Sequence, residues 1–222
     1  CAFTADLDAK ARARRMIERD LYTALGNNEL CLKFQPIINA ATREVVSCET
    51  LMRWHHPERG PIMPGEFIEH AEDCGLITRM GDWVIREALA QARFLPETVG
   101  VSVNISPLQL HSSTLVTTIV NALARNRIDP ARLDLEITES VLLADTDFVL
   151  ERLMQLKSLG LKISLDDFGT GFSSLSYLRS FPFDKIKIDK SFVGDLESNE
   201  DSRVITRTTI TLAHSLGMRC TA

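Results

Sequence analysis

From Val99 onward the sequence alternates between short β-branched runs and helix-length amphipathic segments, and this rhythm constrains the fold more than any other feature. Val99–Ile105 reads as a strand, Leu115–Arg125 as a helix and Leu133–Thr138 as a strand. Phe148–Leu159 then reads as a helix closed by Gly160, and Lys162–Asp167 and Phe183–Ile188 as strands. Ser202–Leu216 reads as a helix with Gly217 behind it, and a further strand starts at Arg219. Strands separated by helices predict βα units and a largely parallel sheet. Upstream, Leu30–Ile38 and Val45–Trp54 read as strands and His55–Gly65 as a loop rich in Pro and Gly. Gly65–Cys74 and Asp82–Leu95 read as helices, with Asp82 a fitting N-cap for the second. Asp8–Leu25 predicts a helix whose Arg12, Arg14, Arg15 and Arg19 suit the wet face of a linker better than a phosphate-binding arm.

A chain of 222 residues, 45% hydrophobic and 25% charged, is long enough to form one α/β barrel and too apolar to stay disordered. Its net charge of -5 argues against a general binder of nucleic-acid polymers or anionic membranes. No apolar run approaches the ~20 residues of a membrane helix, and no signal-peptide pattern opens the sequence. The five cysteines (Cys1, Cys31, Cys48, Cys74 and Cys220) are scattered without a C-x-x-C, which predicts reduced thiols and a cytoplasmic location. His55 and His56 are adjacent and point apart on any regular element, so they read as loop residues rather than metal ligands.

Alternation along each strand separates an apolar face from a polar one. Glu49, Leu51 and Arg53 share a face. Ser102, Asn104 and Ser106 oppose the valines of their strand, and Asp134, Glu136 and Thr138 oppose Leu133, Leu135 and Ile137. Lys185, Lys187 and Asp189 oppose Ile186 and Ile188. In a barrel the apolar face packs on helices, and the polar face reaches the C-terminal mouth where barrel enzymes hold their chemistry. The chain therefore delivers Glu49, Asn104, Glu136, Asp166, Asp167 and Lys187 to one rim. Adjacent like charges such as Asp166-Asp167 persist most readily where a cation neutralises both, although an isolated pair is more often solvated. An oxygen-only set favours Mg²⁺ or Mn²⁺ over zinc, and its size suits two ions acting on a phosphoester. Lys187 would either steady the attacking water or serve as a structural ion pair.

These residues fall in segments that together resemble the EAL domain, a bacterial cyclic di-GMP phosphodiesterase module. They are Phe34-Gln35-Pro36-Ile37, Glu49-Thr50-Leu51-Met52-Arg53-Trp54, His56-Pro57-Glu58-Arg59-Gly60, Pro64-Gly65-Glu66-Phe67-Ile68 and Val103-Asn104-Ile105-Ser106. Leu135-Glu136-Ile137-Thr138-Glu139, Asp166-Asp167-Phe168-Gly169-Thr170-Gly171 and Lys185-Ile186-Lys187-Ile188-Asp189 complete the series. The resemblance runs from Leu30 to the end of the sequence. It implies a variant (β/α)8 TIM-like barrel with an antiparallel first strand, spanning 29–222 after a 1–28 linker helix. It implies hydrolysis of cyclic di-GMP to pGpG with two Mg²⁺ or Mn²⁺ ions and inhibition by Ca²⁺.

By motif position Glu49, Asn104, Glu136, Asp166 and Asp167 resemble the metal ligands, and Lys187 the lysine beside the catalytic water. Gln35, Leu51 and Arg53 resemble substrate contacts. Glu139 resembles the glutamate that steadies the loop from Asp167 to Ser174, which in the family links the site to a homodimer. The linker resembles one that follows a GGDEF domain. Two departures stand out. Thr50 replaces the family's alanine, and alternation turns it away from Glu49, so Thr50→Ala is expected to change the rate less than tenfold. The family also continues past the position of Ala222 with further barrel units and another acidic group, which this resemblance places beyond the sequence. A catalytically silent cyclic di-GMP receptor or protein-interaction domain is the competing reading; retention of every covered ligand position favours the enzyme.

Overall fold

A computed structural model describes residues 16–143, 146–170 and 175–222. Residues 16–24 are helical, and the expected helix from Asp8 to residue 15 lies outside the described residues. The strands are β1 (Leu30–Ile38), β2 (Val45–His56), β3 (Gly60–Ile62), β4 (Gly100–Asn104), β5 (Leu133–Thr138), β6 (Lys162–Phe168), β7 (Lys185–Ile188) and β8 (Arg219–Thr221). Interleaved helices are α1 (Pro64–Asp73), α2 (Ile77–Ala92), α3 (Pro107–His111), α4 (Leu115–Asn126), α5 (Thr146–Ser158), α6 (Leu175–Ser180), α7 (Lys190–Gly194) and α8 (Glu200–Ser215).

One sheet runs β1-β2-β4-β5-β6-β7-β8, with β3 paired to β2. β1 is antiparallel to β2, and each later pair on the path is parallel. The expected α/β barrel-type sheet with an antiparallel first strand is thus the observed one. Its outer face carries the core. Val101, Val103, Leu133, Leu135, Ile163, Leu165 and Ile186 are buried with Ile85 and Leu89 of α2, Ile119 of α4 and Leu153 of α5. A second cluster joins Leu21 and Ala24 of the N-terminal helical segment to Trp54, Phe67 and Met80. Residues 16–24 therefore pack on the domain as well as leading into it.

The structure departs from expectation where local and global signals competed. The segment read as a loop after Trp54 contains a hairpin: β2 continues through His56 and pairs with β3. His56 closes its turn, because Nδ1 accepts the backbone N–H groups of Glu58 and Arg59 while Nε2 lies 3.3 Å from Asp20. α2 starts at Ile77, not Asp82, because the apolar stripe extends back through Met80 and Ile77 and outweighs the N-cap signal. Short helices α3, α6 and α7 stand where no helix was expected.

α3 matters for the site because it follows Asn104 directly. Ser106 and Gln109 form a capping box with Pro107 at the first helical position. Gln109 is 2% exposed and lies against Gly81, where a Cβ would come within 1.8 Å of Nε2 and 2.2 Å of Cδ. Gly81→Ala is therefore expected to cost ~1–3 kcal/mol through overpacking. That outweighs the helix-propensity gain of up to ~1 kcal/mol for alanine. Denaturant unfolding of the variant checks this; unchanged stability would show that Gln109 can move freely.

Candidate metal centre

Side chains on the inner face of the sheet form two rows. The upper row, at the carboxyl ends of the parallel strands, holds Glu49 from β2, Asn104 from β4, Glu136 from β5, Asp166 from β6 and Lys187 from β7. The row beneath holds Ser102, Asp134, Ser164 and Lys185, all buried. Glu49, Glu136 and Asp166 each offer a carboxylate oxygen, and these three lie within 4.8 Å of one another. Asn104 joins them by donating Nδ2–H to Glu49 Oε1 at 3.3 Å. Residues 55 and more positions apart in sequence meet here because each strand repeats the same alternation at its own register.

Three carboxylates so close together require a cation. Lys187 Nζ supplies one, 2.9 Å from Glu49 Oε2, 2.9 Å from Glu136 Oε2 and 3.1 Å from Asp166 Oδ2. Burial alone would lower the Lys187 ammonium, but Glu136, Asp166 and Glu49 overcome it and hold the group above the ordinary lysine range. Lys187 is thus a hydrogen-bond donor near neutral pH and not a base. Burial raises Asp166 above the ordinary carboxylate range; Lys187 opposes that shift and Glu136 adds to it. A cluster that holds an ammonium through three carboxylate oxygens, with the side-chain amide of Asn104 beside it, has the donor types of a site for a hard divalent cation.

Asp167 reaches the same rim by a different route. Simple alternation would turn it away from Asp166. β6 instead carries one extra residue relative to β7 between Leu165 and Phe168, and Asp167 has a left-handed φ of 53°. Such a bulge re-aims a side chain. Asp167 is exposed, stands outside the trio, and shares a hydrogen bond with Asp189. Burial, the Asp166 charge and the Asp189 charge push its pKa up to about 6. A carboxyl raised in the folded state stabilises below its unfolded pKa and loses that contribution as pH rises through about 6. Asp167→Asn should accordingly raise the melting temperature of metal-free protein at pH 8 and change it little at pH 4. Thermal unfolding across that range checks it, and an equal gain at both ends would exclude charge as the cause.

Glu139 is buried and its Oε1 accepts the Gly169 N–H at 3.0 Å, tying the residue after the bulge to the end of β5. Residues 171–174 of the loop expected to mediate dimerisation lie outside the described residues. Gln35 is exposed and stands opposite Glu49 in the β1–β2 register. Leu51 and Arg53, both partly exposed, follow Glu49 on the same face toward the mouth. Arg53 donates to the Met52 carbonyl at 2.8 Å. Thr50 lies on the opposite face, 3% exposed, and its Oγ1 has no hydrogen-bond partner among the described residues. Replacing it with alanine removes an unsatisfied hydroxyl from the helix side, so the less-than-tenfold rate change stands as the expected result in a turnover assay.

Two features were not singled out from the sequence. Lys33 is exposed and pairs in register with Leu51, adding a cation to the Gln35–Arg53 face. Lys185 lies under the centre, 2.8 Å from Asp134 and 3.3 Å from Glu136. Alternation had put Lys185, Asp134 and Glu136 on one face, yet nothing in the sequence says which row each occupies.

Comparison with known proteins agrees with this fold. The EAL domain family model matches residues 18–222. An uncharacterised signalling protein of Caulobacter vibrioides is 47% identical over 96% of this chain and 26% of its own length. The bifunctional diguanylate cyclase/cyclic di-GMP phosphodiesterase MucR of Pseudomonas aeruginosa is 38% identical over 100% of this chain and 33% of its own length. The chain thus spans about a quarter to a third of the curated relatives it matches. A solved structure of the P. aeruginosa MucR phosphodiesterase in complex with c-di-GMP superposes with a TM-score of 0.88 at 38% identity, covering 92% of this chain and 85% of that one.

Proposed function

The chain belongs to the EAL domain family, and from that membership and the carboxylate cluster we propose that it is a phosphodiesterase hydrolysing cyclic di-GMP to linear pGpG. The observation that carries the reading is the convergence of Glu49, Glu136 and Asp166 from three strands within 4.8 Å, with Asn104 and Lys187 beside them. These residues would hold Mg²⁺ or Mn²⁺, and Asp167, brought to the rim by the bulge, would complete the ligand set for a second ion. When bound, such ions polarise phosphoryl oxygens and lower the pKa of water. Ca²⁺, which prefers more ligands in looser geometry, would bind the same oxygens unproductively.

The protein's own part is placement. Glu49, Leu51 and Arg53 project from β2 and Gln35 from β1, so one two-stranded ribbon would both ligate the ions and seat the dinucleotide. Arg53 would face the anionic bridge. Lys187 would donate a hydrogen bond to the water or to oxygen charge developing on phosphorus. Water adds to phosphorus, one P–O ester bond breaks, and the leaving 3′ oxygen takes up a proton. A homodimer through the loop after Asp167 and an upstream GGDEF domain belong to the same proposal. The bifunctional diguanylate cyclase/phosphodiesterase activity named for MucR supports the latter.

The test is to incubate the full-length protein with cyclic di-GMP and Mn²⁺ and separate the products. Appearance of pGpG is expected. Binding without turnover would select the receptor reading, and the absence of both binding and turnover would overturn the proposal.

A further inference from the structure

We propose that Lys185 is a positioning residue for the metal centre: it fixes the Glu136 carboxylate from below so that one oxygen is presented to the ions. The inference rests on Glu136 being a metal ligand, and so on the function proposed above. It begins with how the two Glu136 oxygens are divided. Oε1 lies 3.3 Å from Lys185 Nζ, on the interior side. Oε2 lies 2.9 Å from Lys187 Nζ, on the side of Glu49 and Asp166. The Glu136 side chain has 0% exposure, so water does not compete for either oxygen.

Lys185 is itself held in place. Its Nζ is 2.8 Å from Asp134 Oδ2, and the other oxygen of Asp134 accepts the Ser164 hydroxyl at 2.6 Å. The chain Ser164–Asp134–Lys185–Glu136 therefore crosses β5, β6 and β7 beneath the centre. A glutamate has three side-chain torsions, and its carboxylate plane is poorly fixed without an outer partner. Groups that hold a ligand by its second atom typically contribute 10–100-fold to metal affinity, which is an order-of-magnitude range. Asp134 also balances the Lys185 charge. Lys185 thus orients Glu136 without cancelling the negative charge that attracts the ions.

The arrangement separates two lysines with similar sequence surroundings. Lys187 contacts all three clustered carboxylates and would face the reacting atoms. Lys185 contacts Glu136 alone among them and acts through it.

The test is Mn²⁺ binding to the metal-stripped full-length protein, followed by the electron paramagnetic resonance signal of free Mn²⁺. Lys185→Met alone strands the buried Asp134 charge and can unfold the protein, so the informative variant is the double Asp134→Leu/Lys185→Met. Lys185→Arg is the conservative comparison. The double variant is expected to melt near the wild-type temperature and to lose about 10–100-fold in Mn²⁺ affinity. Lys185→Arg should recover most of that loss. Wild-type affinity in a folded double variant would overturn the assignment of Lys185 and leave the metal centre standing. Absence of Mn²⁺ binding by the wild-type protein would overturn both. If the double variant does not fold, the near-isosteric Asp134→Asn/Lys185→Gln decides: a loss of about 10–100-fold in Mn²⁺ affinity with an intact fold supports positioning by Lys185, and wild-type affinity overturns it.

Discussion

Glu49→Ala is expected to lower cyclic di-GMP turnover by at least about 10³-fold while leaving the fold intact. Glu49 Oε2 is 2.9 Å from Lys187 and Oε1 accepts from Asn104 at 3.3 Å, so one carboxylate organises both an amide and an ammonium at the rim. Its loss would remove a charged oxygen donor from the proposed metal site and free Asn104 to turn away. Stability should nevertheless change by no more than about 1 kcal/mol, because the substitution deletes one of three like charges gathered around a single lysine. Asn104 is exposed, so water can take up its amide. The check is a paired measurement of product formation and thermal unfolding on the same preparation. Retained turnover would remove Glu49 from the centre. Lost turnover with a collapsed melting temperature would make its role structural.

Much of this arrangement was readable in the sequence because alternation and parallel topology are both short-range signals. A strand such as Leu133–Thr138 declares its two faces by itself, and repeated helix-length spacers make its neighbours parallel, so the acidic tips must share one end. Three things were not readable, each for a physical reason. The bulge at Asp166-Asp167 depends on how β6 pairs with β7, and no local pattern encodes one extra residue in a ladder. The row occupied by Lys185 depends on the stagger between strands, which places Ser164 opposite both Glu136 and Lys185. The hairpin after Trp54 depends on His56 reaching the backbone of Glu58 and Arg59. Pro57 and Gly60 announced a turn there but not that the strand resumes as β3.

Lys187→Met is the second large effect, and it separates the roles of charge and chemistry. Lys187 is 19% exposed and neutralises three carboxylates that are 14%, 0% and 10% exposed. Removing one partner of such a buried set typically costs about 3–5 kcal/mol, because the remaining charges are left uncompensated. Metal-free Lys187→Met should therefore melt well below the wild type. The carboxylates would respond by binding protons more readily in the folded state than in the unfolded one. Their contribution would then be present near pH 4 and lost as pH rises, so the deficit should shrink on acidification. A divalent cation offers the same neutralisation, and Mn²⁺ should raise the variant's melting temperature more than it raises that of the wild type, where it competes with the ammonium. Turnover should stay lost even at saturating Mn²⁺, since a metal restores charge balance but not the hydrogen-bond donor that the proposed mechanism assigns to Lys187. Recovery of full turnover with Mn²⁺ would make Lys187 only a counterion, and wild-type stability without metal would mean that the cluster does not need one.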